Sequence, residues 1–187
     1  MIVLGADPGS NLGVVVLTMP ENWVIMNAHW YGNAVIASKT SKTTPTAVTD
    51  EAYFRRVYDL FAKFRGSTLV MENPADAAAY WGAQDQKGHA RGTLMRLGTY
   101  KGLVFGAAVA AGLVIIEYTV RGKKTAPGWM LGKGKRPKIL QDMQLLARAI
   151  GGPPNLQDHE LMALGVLNHH AGLQQQTSLL SRASGIS

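Results

Sequence analysis

The chain has 187 residues, 47% of them hydrophobic and 17% charged, a composition that supports one packed core and lies far from that of disordered chains. Nineteen Lys and Arg against 12 Asp and Glu leave a net charge of +7, which favours a polyanionic partner, nucleic acid first among them. There is no cysteine, so disulfides, iron–sulfur clusters and thiolate zinc sites are excluded, and any metal must sit on oxygen or imidazole.

Residues 1–6 form a short apolar run ended by Asp-Pro-Gly-Ser, and residues 13–18 form a second, β-branched run. Together they read as a β-hairpin. Residues 23–30 are the candidate third strand, and the polar, Ser/Thr/Lys-bearing stretch 32–49 reads as a connection. Asp50 then opens a helical pattern carried by Phe54, Val57, Tyr58, Phe61 and Phe64. Residues 67–71 form a buried-looking strand that delivers Glu72 to its end, where Pro74 prevents continuation of the ladder.

Residues 75–91 read as a surface loop or irregular helix start, and 92–111 as an apolar helix with two buried faces. A fifth strand over 113–118 precedes the densest positive stretch of the chain, with Arg121, Lys123, Lys124, Lys133, Lys135, Arg136 and Lys138. A helix over 138–150 stops at Gly151-Gly152-Pro153-Pro154, and a last helix runs from near Asn155 to about His169. Residues 1–170 are thus expected to form one domain, with 171–187 a flexible tail. The opening lacks a basic n-region and the apolar run 102–116 is shorter than the roughly 20 residues of a membrane span, so a soluble, cytoplasmic protein is expected.

Three acids fall at the ends of three elements: Asp7 on the first strand, Glu72 on the fourth, and Asp158 in the first turn of the last helix. If the first and fourth strands are neighbours, two carboxylates meet at one sheet edge and a helix N-terminus can bring the third. Clustered carboxylates repel each other, and Mg²⁺ or Mn²⁺ is the simplest means of neutralising an all-oxygen cluster. Two such ions, about 3.5 to 4 Å apart, can serve both the attacking water and the leaving oxygen of a phosphodiester. Taken singly, each acid also has an ordinary reading: Asp7 as a turn former, Glu72 as a solvated strand end, Asp158 as a helix cap.

The stretches MIVLGADPGSNLGVVVL, LVMENP, GTYKGLVFGAAVAAGLVIIEY, LGKGKRPKILQDM and LQDHELMALGVLNHH resemble the RuvC family of Holliday junction resolvases, a branch of the RNase H-like superfamily, over most of residues 1–170. The resemblance implies an α/β RNase H-like fold with a mixed five-stranded sheet flanked by helices. It assigns the first catalytic aspartate to Asp7 and the catalytic glutamate to Glu72. It also implies a homodimer through the helix around 92–111, and a lysine near the scissile phosphate, Lys138 in the matching place and Lys124 next. The implied substrate is branched DNA such as four-way junctions, cut with Mg²⁺, for which Mn²⁺ can substitute. The altered closing motif suits a divergent or phage-type member, working in the cytoplasm of a bacterial or phage-infected cell.

The closing motif departs from the family pattern, which places an Asp or His and then an Asp three residues later; three residues beyond Asp158 and His159 stand Leu161 and Met162. Asp158 is taken as the third ligand, with His159 as its rival and Glu160 as a possible fourth. On a regular helix Glu160 projects about 200° from Asp158, at roughly 100° per residue. Tyr80 and Trp81 either stack on unpaired bases or pack in the core. Arg91, Arg96 and Lys101 either line a DNA channel or solvate a helix face, the latter favoured. His29 and the His169-His170 pair lack partners in a metal motif and read as core or helix-end residues.

Three other readings remain. A sugar-kinase or chaperone-like ATPase shares the Gly-x-Asp-x-Gly-Ser opening but needs two lobes, for which the chain has no length. A junction-binding module with weakened catalysis would fit the irregular closing motif. An RNase H-like nuclease acting on flaps or RNA shares the fold.

Overall fold

The computed structural model describes residues 1–38, 46–73, 89–119 and 136–183. Five strands, β1 (Ile2–Asp7), β2 (Asn11–Thr18), β3 (His29–Ala37), β4 (Thr68–Asn73) and β5 (Val114–Thr119), form one sheet in the order β3-β2-β1-β4-β5. The β1–β2 and β2–β3 pairs are antiparallel, and β1–β4 and β4–β5 are parallel, so the sheet is mixed as expected. The helices are α1 (Thr46–Phe61), α2 (His89–Ala111), α3 (Arg136–Ala149) and α4 (Asp158–Ala183).

Alternation along β1 and β2 divides the core between the two sheet faces. Leu4, Ala6, Leu12, Val14 and Val16 pack with Tyr53, Val57 and Phe61 of α1 and Tyr100, Val104, Ala107, Ala108 and Ala111 of α2. Val3, Val15, Leu17 and Val70 pack on the other face with Met143 and Ala147 of α3 and Leu161, Ala163, Leu164, Val166 and Leu167 of α4. Strands this apolar on both sides are what a central sheet covered by two helical layers requires. Among the described residues no helix is long and apolar enough to cross a membrane.

The third strand lies later than the sequence suggested. Residues 23–30 are mostly a turn: Trp23 has φ 56 and Ile25–Asn27 form a 3₁₀ turn, while Trp23 and Ile25 pack against the core from there. The actual strand, β3, alternates exposed and half-buried residues at the sheet edge, so its polar members hid it within an apparent connection. α1 begins at Thr46 rather than Asp50, with the Thr49 hydroxyl donating to the Thr46 carbonyl at 2.7 Å. α4 continues well past His169, to Ala183. The second apolar face expected of α2 is uncovered in the single chain: Phe105 is 39% and Val109 55% exposed.

Candidate active site

The parallel β1–β4 register pairs Leu4 with Leu69 and Ala6 with Met71, which makes Asp7 and Glu72 the next residues along neighbouring strands. Both then point to the face covered by α4, because Ala6 and Met71 point to the α1–α2 face. Glu72 is only 9% exposed. Burial, and second the negative charge of Asp7, push its carboxyl up to about 7 from an ordinary 4.5.

The third component arrives on α4. Gly13 pairs with Asp7 across the β1–β2 ladder, and a Cβ there would come within 2.2 Å of the His159 carbonyl carbon and oxygen. A Cβ on Gly5 would likewise meet the Ala163 carbonyl at 2.4 Å. Two strand glycines therefore let the backbone of α4 rest directly on the sheet. The outcome is that His159 Nδ1 donates to Asp7 Oδ2 at 2.9 Å, the donor role following from a carboxylate that accepts.

Of the three neighbouring candidates in this turn, His159 is thus the one that meets Asp7. Asp158 is exposed at the start of α4. Glu160 is 4% exposed, and its two oxygens accept from the Asn33 side-chain amide and, at 2.8 Å, from the Gln157 backbone N–H. Lys138 is exposed in the first turn of α3, and Arg136 opens that helix. Tyr80, Trp81, Arg121, Lys123, Lys124, Lys133 and Lys135 lie outside the described residues. Arg96 is held by Asp50 through two bonds of 2.7 and 3.0 Å and Lys101 by Glu117 at 3.0 Å, so both cross-link elements of the fold. His170 is buried, with its Nδ1 2.6 Å from the Tyr118 hydroxyl, a core role.

On the opposite face, the buried Tyr53 hydroxyl donates to the Gly9 carbonyl at 2.9 Å and the Ser38 N–H to the Ser10 carbonyl at 2.6 Å. These bonds fasten the turn that follows Asp7. Gly13, Asn33 and Tyr53 were not singled out from sequence. The interior glycine of β2 carried a usable signal, since a strand glycine often marks close approach of another backbone; Asn33 and Tyr53 carried none.

A divalent cation suits the chemistry of Asp7 and Glu72: both are oxygen donors, and the Glu72 carboxyl is pushed up first by burial and then by the charge of Asp7, a repulsion that a cation would relieve. Among the described residues no group of three or more His, Asp or Glu is gathered closely enough to hold an ion. Asp7 and Glu72 would offer such an ion two carboxylates.

No family model matches the chain. It is 28% identical over 181 residues, 96% of its length and 98% of the relative's, to a protein of Geobacter sp. (strain M21) named Crossover junction endodeoxyribonuclease RuvC. It is also 28% identical over 172 residues to the protein of that name from Citrifermentans bemidjiense, covering 91% of this chain and 92% of that one. In structure it is similar to T. thermophilus RuvC in complex with Holliday junction substrate, with a TM-score of 0.66, 20% identity and coverage of 95% and 96% of the two chains. It is similar as well to the yeast mitochondrial Holliday junction resolvase Ydc2, with a TM-score of 0.53, 14% identity and coverage of 94% and 80%. Along nearly its whole length the chain is RuvC-like in sequence, and it has the RNase H-like fold of RuvC.

Proposed function

We propose that this chain is a structure-selective DNA endonuclease that resolves four-way junctions by metal-dependent hydrolysis of opposite strands. The observation that carries the reading is Asp7 beside a buried Glu72 whose carboxyl is raised to about 7, with His159 donating to Asp7. Relatives named as crossover junction endodeoxyribonucleases support the reaction class, and a structural neighbour in complex with Holliday junction substrate supports the choice of DNA.

In this reading Asp7 and Glu72 hold Mg²⁺, or Mn²⁺ in its place, at one or two positions. When bound, the ion supplies Lewis-acid chemistry and charge compensation at the phosphate. His159 orients the Asp7 carboxylate and holds a proton at Nδ1, and the turn bonds of Tyr53 and Ser38 keep Asp7 from swinging away. Asp158, at the exposed start of α4, is the candidate for a further ligand when metal and substrate are bound. Lys138, with Arg136 beside it at the start of α3, contributes positive charge toward the phosphate. The remaining cations, Arg121, Lys123, Lys124, Lys133 and Lys135, grip the DNA backbone, and Tyr80 and Trp81 stack on opened bases.

The exposed stripe of Gly98, Gly102, Phe105 and Val109 on α2 is the homodimer contact. A two-fold dimer would place one site at each of two symmetry-related strands of the junction. The nuclease domain includes α4 beyond residue 170, since Ala171 packs in its core, and the protein works on DNA in the cytoplasm.

The deciding experiment offers labelled four-way junction, flap, linear duplex and single strand with Mg²⁺, Mn²⁺ or EDTA. Paired, metal-dependent nicks confined to the junction support resolution, and flap cutting would widen the reading to a branch nuclease. A second reading, a junction-binding module with weakened catalysis, is favoured by the closing motif, where Leu161 and Met162 stand three residues beyond Asp158 and His159 in place of an acid. Tight junction binding without cutting in either metal would select it.

A further inference from the structure

Glu160 is the acid nearest the irregular part of the closing motif, yet its surroundings are those of a latch. Its Oε2 accepts from the Gln157 N–H at 2.8 Å, while the Gln157 carbonyl accepts from the Glu160 and Leu161 N–H groups at 3.0 and 3.1 Å. This closes the first turn of α4 as the reciprocal half of a capping box, at a helix start whose own N-cap residue is a glutamine, a side chain outside the preferred capping set. Its Oε1 accepts from Asn33 Nδ2 on β3, and Asn33 Oδ1 in turn accepts from Trp30 Nε1 at 3.3 Å. A single file of hydrogen bonds thus runs from the edge strand to the N-terminus of α4. His159, which with Asp158 lies between its last two members, donates to Asp7.

The approach of α4 at Gly13 sets its height above the sheet. A backbone seated on a glycine can still roll about its own axis. The bond to Asn33, reaching sideways to β3, opposes that roll, and a roll of a few degrees is what would separate His159 from Asp7. With both oxygens engaged and 4% exposure, Glu160 is poorly placed to serve as a ligand.

We propose that Asn33 and Glu160 are positioning residues that fix the rotation of α4 and so aim His159 at Asp7, Glu160 acting as this latch and not as a metal ligand. The proposal rests on the nuclease reading above.

The two partners can exchange chemical roles, which supplies the test. Asn33→Asp removes the donor and sets two carboxylates against each other. Glu160→Gln leaves only one accepting oxygen for two donors. Combined, the two substitutions restore the file with only its central bond reversed: the introduced glutamine donates to the introduced aspartate and still accepts from the Gln157 N–H, with no change in total charge. We expect Asn33→Asp to slow cleavage at saturating junction about tenfold, as misalignment does, with junction affinity unchanged within about twofold. The double variant is expected to return to within about threefold of wild type. In the metal-free protein, the ¹⁵N shifts of the His159 ring should move in Asn33→Asp and return in the double variant.

If Glu160→Gln abolishes cutting and the double variant stays inactive, Glu160 acts through its charge and the proposal fails. If Asn33→Asp lowers the melting temperature but cuts at the wild-type rate, the pair is merely structural and the proposal fails. Wild-type protein that cuts nothing refutes the nuclease reading instead, and the metal-free ring shifts then still decide whether the pair aims His159.

Discussion

Gly13 stands directly across the β1–β2 ladder from Asp7 and directly beneath the His159 carbonyl of α4. The missing side chain is what allows a helix N-terminus to touch the strand pair that carries the candidate site. Gly13→Ala should therefore cost about 1–3 kcal/mol of stability in urea unfolding, the range for overpacking a tight contact, and should uncouple His159 from Asp7. Gly32→Ala, where a Cβ meets nothing within 4 Å, should change stability by less than about 0.5 kcal/mol. Equal effects at the two glycines would contradict this packing.

Glu72 makes metal-free stability depend on pH. Its carboxyl titrates near 7 in the fold against an ordinary 4.5. As pH rises between these values the unfolded chain releases its proton first, so the unfolded state binds fewer protons and stability falls. The contribution is present below about pH 4.5 and is lost by pH 7 and above, by roughly 3 kcal/mol at most. Melting temperatures in EDTA between pH 5 and 8 should show the fall in wild type and a flatter profile in Glu72→Gln. Mg²⁺ at pH 8 should recover part of the loss in wild type only.

Tyr53 is fully buried and holds the Gly9 carbonyl in the turn after Asp7. Burial, then the neighbouring Tyr100, hold its phenol well above the ordinary range, so it stays a donor. Tyr53→Phe keeps the ring and leaves that carbonyl unpaired, a loss of about 1–3 kcal/mol. Cleavage should slow while junction affinity holds, as filter binding beside single-turnover cutting would reveal.

The α2 stripe gives an oligomer test. Val109 is 55% exposed and Phe105 39%. Val109→Glu should leave the melting temperature of the monomer nearly unchanged and shift sedimentation from dimer to monomer. A wild-type protein that sediments as a monomer at micromolar concentration would remove α2 as the dimer contact.

Asp7 and Glu72 were legible because each ends an apolar run at a turn signal, and strand neighbours share a sheet edge whatever the finer packing. The choice among Asp158, His159 and Glu160 was not legible. Consecutive helical residues differ by about 100° in direction, and the docking that selects one of them depends on Gly13 and Asn33, both far away in sequence. β3 was misplaced because an edge strand tolerates polar residues on its open side, whereas Trp23 and Ile25 are apolar members of a turn. α4 was read too short because Gln174, Gln175 and Gln176 dilute its pattern, although glutamine is a sound helix former.

The most direct test of the account is cleavage and binding of one labelled four-way junction by wild type and Asp7→Asn in Mg²⁺. Wild type should give paired nicks, and Asp7→Asn should cut at least about a hundredfold more slowly, comparable to removal of one preorganised electrostatic group, with junction affinity retained. Cutting by Asp7→Asn at near the wild-type rate would contradict it.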